Sequence, residues 1–471
     1  MNVLVTGATG YIGSRLVPRL LEKGHRVRCL ARNPEKLSLS RYPRLEVVQG
    51  DVLVPESLPG ALTGIDVAYY LVHSMTTGSG AFREKDRLAA TNFARAAAEA
   101  GLQRIIYLGG LGHDGPLLSK HLRSRQETGD VLRQGPVPVT ELRAAIIVGA
   151  GSASFEIVRD LVRRLPVMVC PRWVRSSCEP IAISDVLVYL LGVLEEPRSV
   201  GETLEMGGGD VLTYADIMRT TAAVMGRRVR ILTVPVLTPR LSAYWLNLVT
   251  TVPMSLARPL VEGLRNDVVS RDGRLRAWCP HRTISFREAV AQALDEDGSN
   301  ALESRWTDAT TSPAPPPRAE SRRPLIDRRR VDSDLPPDAV FGRVRRVGGA
   351  TGWYYATWLW ELRGAVDRLL GGVGMRRGRR DAERLSVGDA LDFWRVERFE
   401  EGRLLTLRAE MKLPGEARLT FLVGPRPAGG SNLSQEAEFR PRGLAGYFYW
   451  FALLPFHAII FGGMARRIAG R

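Results

Sequence analysis

The chain has 471 residues, of which 45% are hydrophobic and 25% charged, and its formal net charge is +16. That length predicts two or three domains at roughly 100 to 200 residues each, every one long enough to bury a core. The composition excludes general disorder and collagen-like fibres. Arginine supplies nearly all the positive charge, because lysine occurs only at Lys23, Lys36, Lys85, Lys120 and Lys412. An excess of this kind has two sources, a GC-rich coding bias or an anionic partner such as a phosphorylated cofactor, a membrane surface or nucleic acid. The four cysteines, Cys29, Cys170, Cys178 and Cys279, include no CxxC pair. Neither a zinc site nor a disulfide framework is indicated, which fits a reducing cytosol. Met1 leads straight into an apolar strand, so no signal peptide is read and a cytoplasmic location is expected.

From 1 to about 150, short apolar runs alternate with helical spacing, which predicts a parallel, doubly wound α/β sheet. Strands are read at Val3–Thr6, Arg26–Ala31, Leu45–Gln49, Val67–Val72, Arg104–Leu108 and Thr140–Val148, with helices at Ser14–Lys23 and Thr91–Ala100. Between the first strand and first helix stands Thr6-Gly7-Ala8-Thr9-Gly10-Tyr11-Ile12-Gly13. Gly7 permits the sharp turn, Gly10 lets backbone approach a pyrophosphate, and Gly13 lets helix and strand pack closely. The helix N-terminus then offers N–H groups to phosphate oxygens. Thr9, Tyr11 and Ile12 complete this dinucleotide loop. The second strand ends Ala31-Arg32-Asn33, with Lys36 beyond, where an NAD site usually carries an acidic residue. A cation there pairs with a 2′-phosphate, so NADP(H) is favoured over NAD(H). Asp51 and Val52 follow the third strand, where adenine contacts fall. His73 and Ser74 follow the fourth, the edge where ligands bind in such sheets. His73 reads equally as a nicotinamide-side contact and as a buried structural histidine.

The TGxxGxxG spacing, the Gly50-Asp51-Val52 segment and the strand order resemble the short-chain dehydrogenase/reductase superfamily. The likeness covers about residues 1–295. It is nearest to the atypical branch that holds NmrA-like proteins and the NADPH-binding accessory subunit of respiratory complex I. The segments Leu71-Val72-His73-Ser74-Met75, Tyr107-Leu108-Gly109-Gly110-Leu111-Gly112 and Pro171-Arg172-Trp173-Val174 resemble a bacterial subgroup of that branch. The resemblance implies a serine after the fifth strand and a Tyr-x-x-x-Lys on the next helix. This chain has Gly109-Gly110 and His121-Leu122-Arg123-Ser124-Arg125 instead. The i, i+4 spacing survives, so His121 and Arg125 share a helix face. Histidine's ordinary pKa suits proton transfer near neutrality, whereas an arginine holds a ribose but gives no proton. The oxyanion donor that a serine would supply falls to Ser119, Ser124 or His73. Cys279 and His281 lie close together, but two ligands do not make a metal site.

From 151 to about 295 helical stretches at Phe155–Arg164, Ser184–Leu194, Tyr214–Val224 and Phe286–Leu294 predict a small substrate lobe. Residues 299–325 form a linker centred on Ser312-Pro313-Ala314-Pro315-Pro316-Pro317, a proline density that suits an extended spacer. The Rossmann domain is thus placed at 1–298 and a second domain at 326–471. The second domain opens on a strand at Ile326–Val331. From Leu405 to Leu413 apolar and polar residues then alternate, Pro414-Gly415 interrupts, and Ala417, Leu419 and Phe421 resume, a hairpin with one buried face. Five of the nine tryptophans lie here, and 22 residues from Gly443 to Met464 carry no formal charge. By length that run could span a bilayer. Pro455 and His457 inside it favour a buried helix instead.

Segments such as Gly352-Trp353-Tyr354-Tyr355, Leu359-Trp360-Glu361-Leu362-Arg363-Gly364 and Ala409-Glu410-Met411-Lys412-Leu413-Pro414-Gly415-Glu416 resemble the START-like (SRPBCC) helix-grip fold. The resemblance implies an α+β domain whose sheet wraps a long C-terminal helix around an apolar ligand cavity. Arg318 to Arg471 holds 28 basic against 18 acidic side chains, a net of +10, and Arg376-Arg377-Gly378-Arg379-Arg380 is its densest cluster. That cluster suits anionic headgroups or a solvated loop and carries no nucleic-acid reading motif. Two functions are expected. One is an NADPH-dependent reductase of a hydrophobic carbonyl, quinone or enone, with His121 as proton donor and Arg125 orienting the nicotinamide ribose. The other is a non-catalytic NADP(H)-binding regulator or assembly factor with a lipid-binding second domain. The partners expected are a hydrophobic small molecule and a peripheral membrane contact; no metal or nucleic acid is expected.

Overall fold

The computed structural model describes residues 1–34, 37, 44–73, 81–112, 118–234, 250, 252, 260, 262–264, 266–298, 324–370, 372–375, 379 and 383–471. The proline-rich segment at 312–317 lies outside them, as do Lys36, Ser74, Met75, Arg376, Arg377, Gly378 and Arg380. The chain divides into two compact units, Met1–Thr310 and Thr311–Arg471.

The first unit is built on β1 (Asn2–Thr6), α1 (Gly13–Glu22), β2 (Arg26–Ala31), β3 (Leu45–Gln49), β4 (Val67–Tyr70), α2 (Ala81–Glu99), β5 (Arg104–Gly110), α3 (Lys120–Arg133), β6 (Val139–Ala144) and β7 (Thr203–Met206). These strands form one seven-stranded sheet in the order β7-β6-β5-β4-β1-β2-β3, and every neighbouring pair is parallel. Alternate residues serve opposite faces because strand side chains have a period of two. Val3, Val5, Tyr69, Ile106 and Leu108 join Leu16 and Leu20 of α1 on one face. Leu4, Ala68, Tyr70, Ile105 and Tyr107 join Phe93 and Ala97 of α2 on the other. The chain reverses its winding between β1 and β4, which makes the carboxyl edge there the switch point where such sheets bind ligands.

The sixth predicted strand, Thr140–Val148, is divided. β6 stops at Ala144, and Ile147–Val148 leaves the sheet to pair with Ile181–Ala182. That departure opens the small second lobe, which contains α4 (Ala153–Arg164), α6 (Tyr214–Val224) and α7 (Phe286–Gly298), while α5 (Ile183–Glu195) packs beside α1 on the main sheet.

The second unit is an antiparallel sheet with helices. It comprises β8 (Leu325–Ser333), α8 (Pro337–Arg345), α9 (Thr357–Leu369), β9 (Trp394–Glu400), β10 (Leu404–Ala409), β11 (Gly415–Pro425), β12 (Ser431–Pro441) and α10 (Gly443–Ile468). The strand order is β8-β12-β11-β10-β9, with Ala390–Leu391 added at the β9 edge. The predicted hairpin is present, with Leu405 opposite Phe421 and Leu407 opposite Leu419. The tryptophans pack on one another in the interior. Trp353 stacks on Trp360 with centroids 4.9 Å apart, Trp360 meets Phe461 of α10 at 6.0 Å, and the Trp353 indole donates to Asp392 at 2.9 Å.

Helix α10 differs from the buried helix expected at 443–464. Gly446, Trp450 and the last turns from Phe461 to Ile468 reach the interior, while Leu444, Phe448, Phe451, Phe456 and Ile459 face outward. The physical reason is geometric. A helix turns one side to a sheet, and the uncharged run covers its whole circumference.

Trp353 is fully buried between two aromatic partners and holds a buried carboxylate. Trp353→Ala is expected to cost the second unit about 3–5 kcal/mol, as cavity-forming aromatic deletions do. Urea unfolding followed by limited proteolysis of residues 324–471 reads the loss, and a midpoint unchanged from wild type refutes it.

Candidate functional site

The loop between β1 and α1 meets the end of β4. Gly7 has a φ of +69°, and a β-carbon built on it would lie 2.8 Å from the carbonyl oxygen of Leu71. A β-carbon on Gly13 would strike the Gly7 carbonyl and the Ala8 backbone, so α1 approaches β1 as closely as backbone permits. Inside the turn the Gly10 N–H donates to the Gly7 carbonyl at 2.9 Å. The Thr6 hydroxyl donates to the Tyr69 carbonyl at 3.1 Å and accepts from the Leu71 N–H at 3.2 Å, locking the two strand ends together. Buried Arg15 lies under the loop. Its guanidinium stands 4.3 Å from the Tyr11 ring centre, donates to the Ala150 carbonyl at 3.0 Å and pairs with Glu296 at 2.9 Å. Thr9 and Ile12 lie in the same loop, whose backbone leaves no room for a side chain at Gly7 or Gly13. This cradle fits a dinucleotide pyrophosphate at the first turn of α1.

Arg32 ends β2, is exposed, and pairs with no carboxylate among the described residues. Asp51 spends its carboxylate on its own turn, accepting from the Leu53 N–H at 3.0 Å. Val52 is buried with Leu30 and Leu58, so its side chain belongs to the core, and its carbonyl accepts from the Asn92 amide at 3.1 Å.

Two residues beyond Leu71, His73 Nδ1 contacts the Asp86 carboxylate at 2.8 Å. The His73 ring lies 5.2 Å from the ring of His121, the second residue of α3. Nε2 of His73 and Nδ1 of His121 are buried without a hydrogen-bond partner. Arg125, one turn along α3, is held in place. Its guanidinium donates to the Leu108 carbonyl and sits 5.2 Å from the Tyr107 ring centre, and the Tyr107 hydroxyl donates to the Arg125 carbonyl at 2.8 Å. The structure therefore brings His73, His121 and Arg125 to one place beside the β5 edge.

Of the three proposed serine substitutes, only His73 stands against His121. Ser119 caps α3, accepting from the Leu122 N–H at 3.2 Å, and buried Ser124 turns to Asp86 at 3.5 Å. The two glycines that end β5 are explained by packing. A β-carbon on Gly109 would meet the Glu141 carboxylate at 2.6 Å, and one on Gly110 would meet Leu122 at 3.1 Å and Arg125 at 3.6 Å. Cys279 and His281 form no metal site: His281 Nε2 contacts Asp185 at 2.7 Å and its ring meets Tyr189 edge-on.

Burial, then the neighbouring His73, then Arg125 hold the His121 imidazole well below its ordinary pKa of 6.5. Burial also lowers His73, against the opposing pull of its Asp86 hydrogen bond. Both rings are therefore neutral at neutral pH. Asp86 was not read from the sequence. Its signal was there, because it stands at a core-facing position of α2 in register with Ala89, Ala90 and Phe93.

A glycine cradle at the switch point of an all-parallel sheet, with polar groups at the same edge, defines a nicotinamide-dinucleotide-binding domain of the oxidoreductase type. Residues 7–150 match the family described as NAD(P)H-binding, and residues 321–464 match one described as Protein of unknown function (DUF2867). Among curated relatives, the ceramide reductase of Caulobacter vibrioides is 29% identical over 237 residues, which is 50% of this chain and 73% of that protein. The (4-alkanoyl-5-oxo-2,5-dihydrofuran-3-yl)methyl phosphate reductase of Streptomyces griseus is 29% identical over 236 residues, 48% of this chain and 75% of that one. The photosystem II assembly factor Ycf39 of Trieres chinensis is 22% identical over 235 residues, 50% of this chain and 72% of its own. Among solved structures, the triphenylmethane reductase of Citrobacter sp. superposes with a TM-score of 0.52 at 21% identity, over 62% of this chain and 100% of that one. That likeness shows the fold.

The histidine pair carries a pH signature. Below about pH 6.5 the unfolded chain protonates these imidazoles before the folded protein does. Stability is therefore full above that range and is lost as pH falls through it. His121→Gln removes one contributor, so its melting temperature should fall less than wild type between about pH 7.5 and about pH 5.5. Equal falls, measured by calorimetry, would refute the buried neutral assignment.

Proposed function

We propose that the first unit is an NADP(H)-dependent reductase of a hydrophobic carbonyl, quinone or enone. The observation that carries the reading is the convergence of two unpartnered imidazole nitrogens beside the glycine cradle. The cofactor, when bound, supplies the hydride. Gly7, Thr9, Gly10, Tyr11, Ile12 and Gly13 hold its pyrophosphate, Arg32 meets the 2′-phosphate, and the backbone at Asp51 and Val52 borders the adenine. The neutral His121 N–H hydrogen-bonds the substrate oxygen where negative charge develops, and solvent water supplies the proton that completes the alcohol. His73, positioned through Nδ1 by Asp86, sets the orientation of that donor. The fixed charge of Arg125 favours an oxyanion next to it, a preorganised electrostatic contribution. A hydrophobic substrate is supported by two relatives, a ceramide reductase and a reductase of an alkanoyl-bearing methyl phosphate.

A second reading rests on a different observation. Gly109 and Gly110 pack against Glu141, Leu122 and Arg125, so neither position carries the hydroxyl that the superfamily's serine supplies. A non-catalytic NADP(H)-binding regulator or assembly factor is consistent with that, and one relative is an assembly factor. In this reading the second unit is a START-like module for a hydrophobic small molecule.

Two measurements test these readings, the first their shared cofactor site and the second their difference. NADPH should quench protein fluorescence with about micromolar affinity, and Arg32→Ala should weaken NADPH at least about tenfold more than NADH, the size of a charge-assisted phosphate contact. Equal effects on both cofactors reject the Arg32 assignment. Against a panel of quinones, enones and long-chain carbonyls, His121→Ala should lower kcat about 10²-fold or more while NADPH affinity holds. Full turnover in that variant removes His121 from the chemistry, and no turnover by wild type on any class favours the second reading.

A further inference from the structure

The second unit carries an apolar surface that its own fold leaves uncovered. On α10, Leu444 is 88% and Phe448 78% exposed, and Phe451, Phe456 and Ile459 continue the exposed run. No charged side chain occurs from Gly443 to Ala465. Arginines stand at both ends: Arg440 and Arg442 before the helix, and exposed Arg466 and Arg467 in its last turn. Helix α9 adds a second stripe. Trp358, 64% exposed, is followed at every fourth residue by exposed Leu362, Val366 and Leu370. The two helices are neighbours. The Lys412 N–H donates to Asp367 of α9 at 2.7 Å, the Arg442 N–H donates to the Pro414 carbonyl at 2.8 Å, and Trp360 meets Phe461. Both therefore flank the same connection between β10 and β11.

We propose that this face docks the protein on the surface of an anionic lipid bilayer, with α10 lying in the plane of the interface. Large apolar side chains left in water forgo the stabilisation that burial would return. A helix with an apolar outer side and cationic ends recovers that energy at the boundary between headgroups and acyl chains. The arginines meet lipid phosphates, and the unit's net charge of +10 adds long-range attraction to an anionic leaflet. Tyr447 on α10 and Trp358 on α9 suit the headgroup level. Contacts near both ends of α10 argue against spanning. Trp450 stacks on Phe439 of β12 at 5.7 Å, and Phe461, Met464, Ala465 and Ile468 are buried in the core, so α10 is anchored at both ends. A span needs about 20 residues free to enter lipid. A second copy is a poorer occupant, because its arginine-bounded face would oppose like charge. The inference concerns the second unit and does not rest on the reductase reading.

The test uses the full-length protein and vesicles of phosphatidylcholine with about one-third phosphatidylglycerol. The protein should sediment with these vesicles, bind pure phosphatidylcholine at least about tenfold more weakly, and lose binding as salt is raised. The double variant Phe448→Ser, Phe451→Ser should lose at least about tenfold in binding. Its circular dichroism and NADPH affinity should match wild type, since both side chains are exposed. Arg466→Gln with Arg467→Gln should weaken binding to the anionic vesicles alone. Three results overturn the proposal: no sedimentation with anionic vesicles, binding that both variants leave unchanged, or retention in the membrane after alkaline carbonate. A dimer that the double variant abolishes, without vesicle binding, assigns the face to a second copy instead.

Discussion

The site depends on one close approach of backbone to backbone. At the switch point of the sheet, Gly7 lies against the Leu71 carbonyl, and the Thr6 hydroxyl ties β1 to β4 from the other side. Any side chain at Gly7 would push the strand ends apart. Because they cannot separate, His73 is delivered beside the cofactor cradle by the same contact that shapes the cradle. The parallel order of the sheet then brings α3, which follows β5, to the same edge with His121 and Arg125. Cofactor loop and polar cluster are therefore two consequences of one packing constraint.

The electrostatics of the cluster give its chemistry a different character from that expected of a Tyr-x-x-x-Lys pair. A tyrosine beside a lysine stores and returns a proton. Here burial and the nearby guanidinium keep both imidazoles neutral, and Asp86 holds His73 in one orientation. A neutral imidazole is a directional N–H donor, suited to polarising an oxygen. Arg125, committed to Leu108 and Tyr107, contributes a fixed charge rather than a mobile hand. The two glycines that replace the superfamily's serines are filled by Glu141, Leu122 and Arg125, so the substitution is built into the packing around α3.

The second unit meets two demands with one helix. The inner side of α10 and its last turns close an aromatic core in which Trp353, Trp360, Phe393 and Phe461 lie against one another. The remaining circumference is equally apolar and remains outside.

Much of the architecture was legible in the residues. β2 and β3 begin and end where their apolar runs do, and Gly7, Gly10 and Gly13 announced both the cofactor and its place in the fold. These features are local, set by side-chain period and by the backbone freedom of glycine. Non-local features were not legible. The division of the sixth strand is decided by the pairing of Ile147–Val148 with Ile181–Ala182, and β7 joins the sheet 59 residues after β6 ends at Ala144. The partner of His73 lies 13 residues away on a helix whose register had to be known first. The uncharged stretch from Gly443 to Met464 shows the boundary most plainly. Its composition determined a long apolar helix, while which side is buried, and that so much stays outside, was decided by β12 and β8, because burial is a property of what a helix packs against.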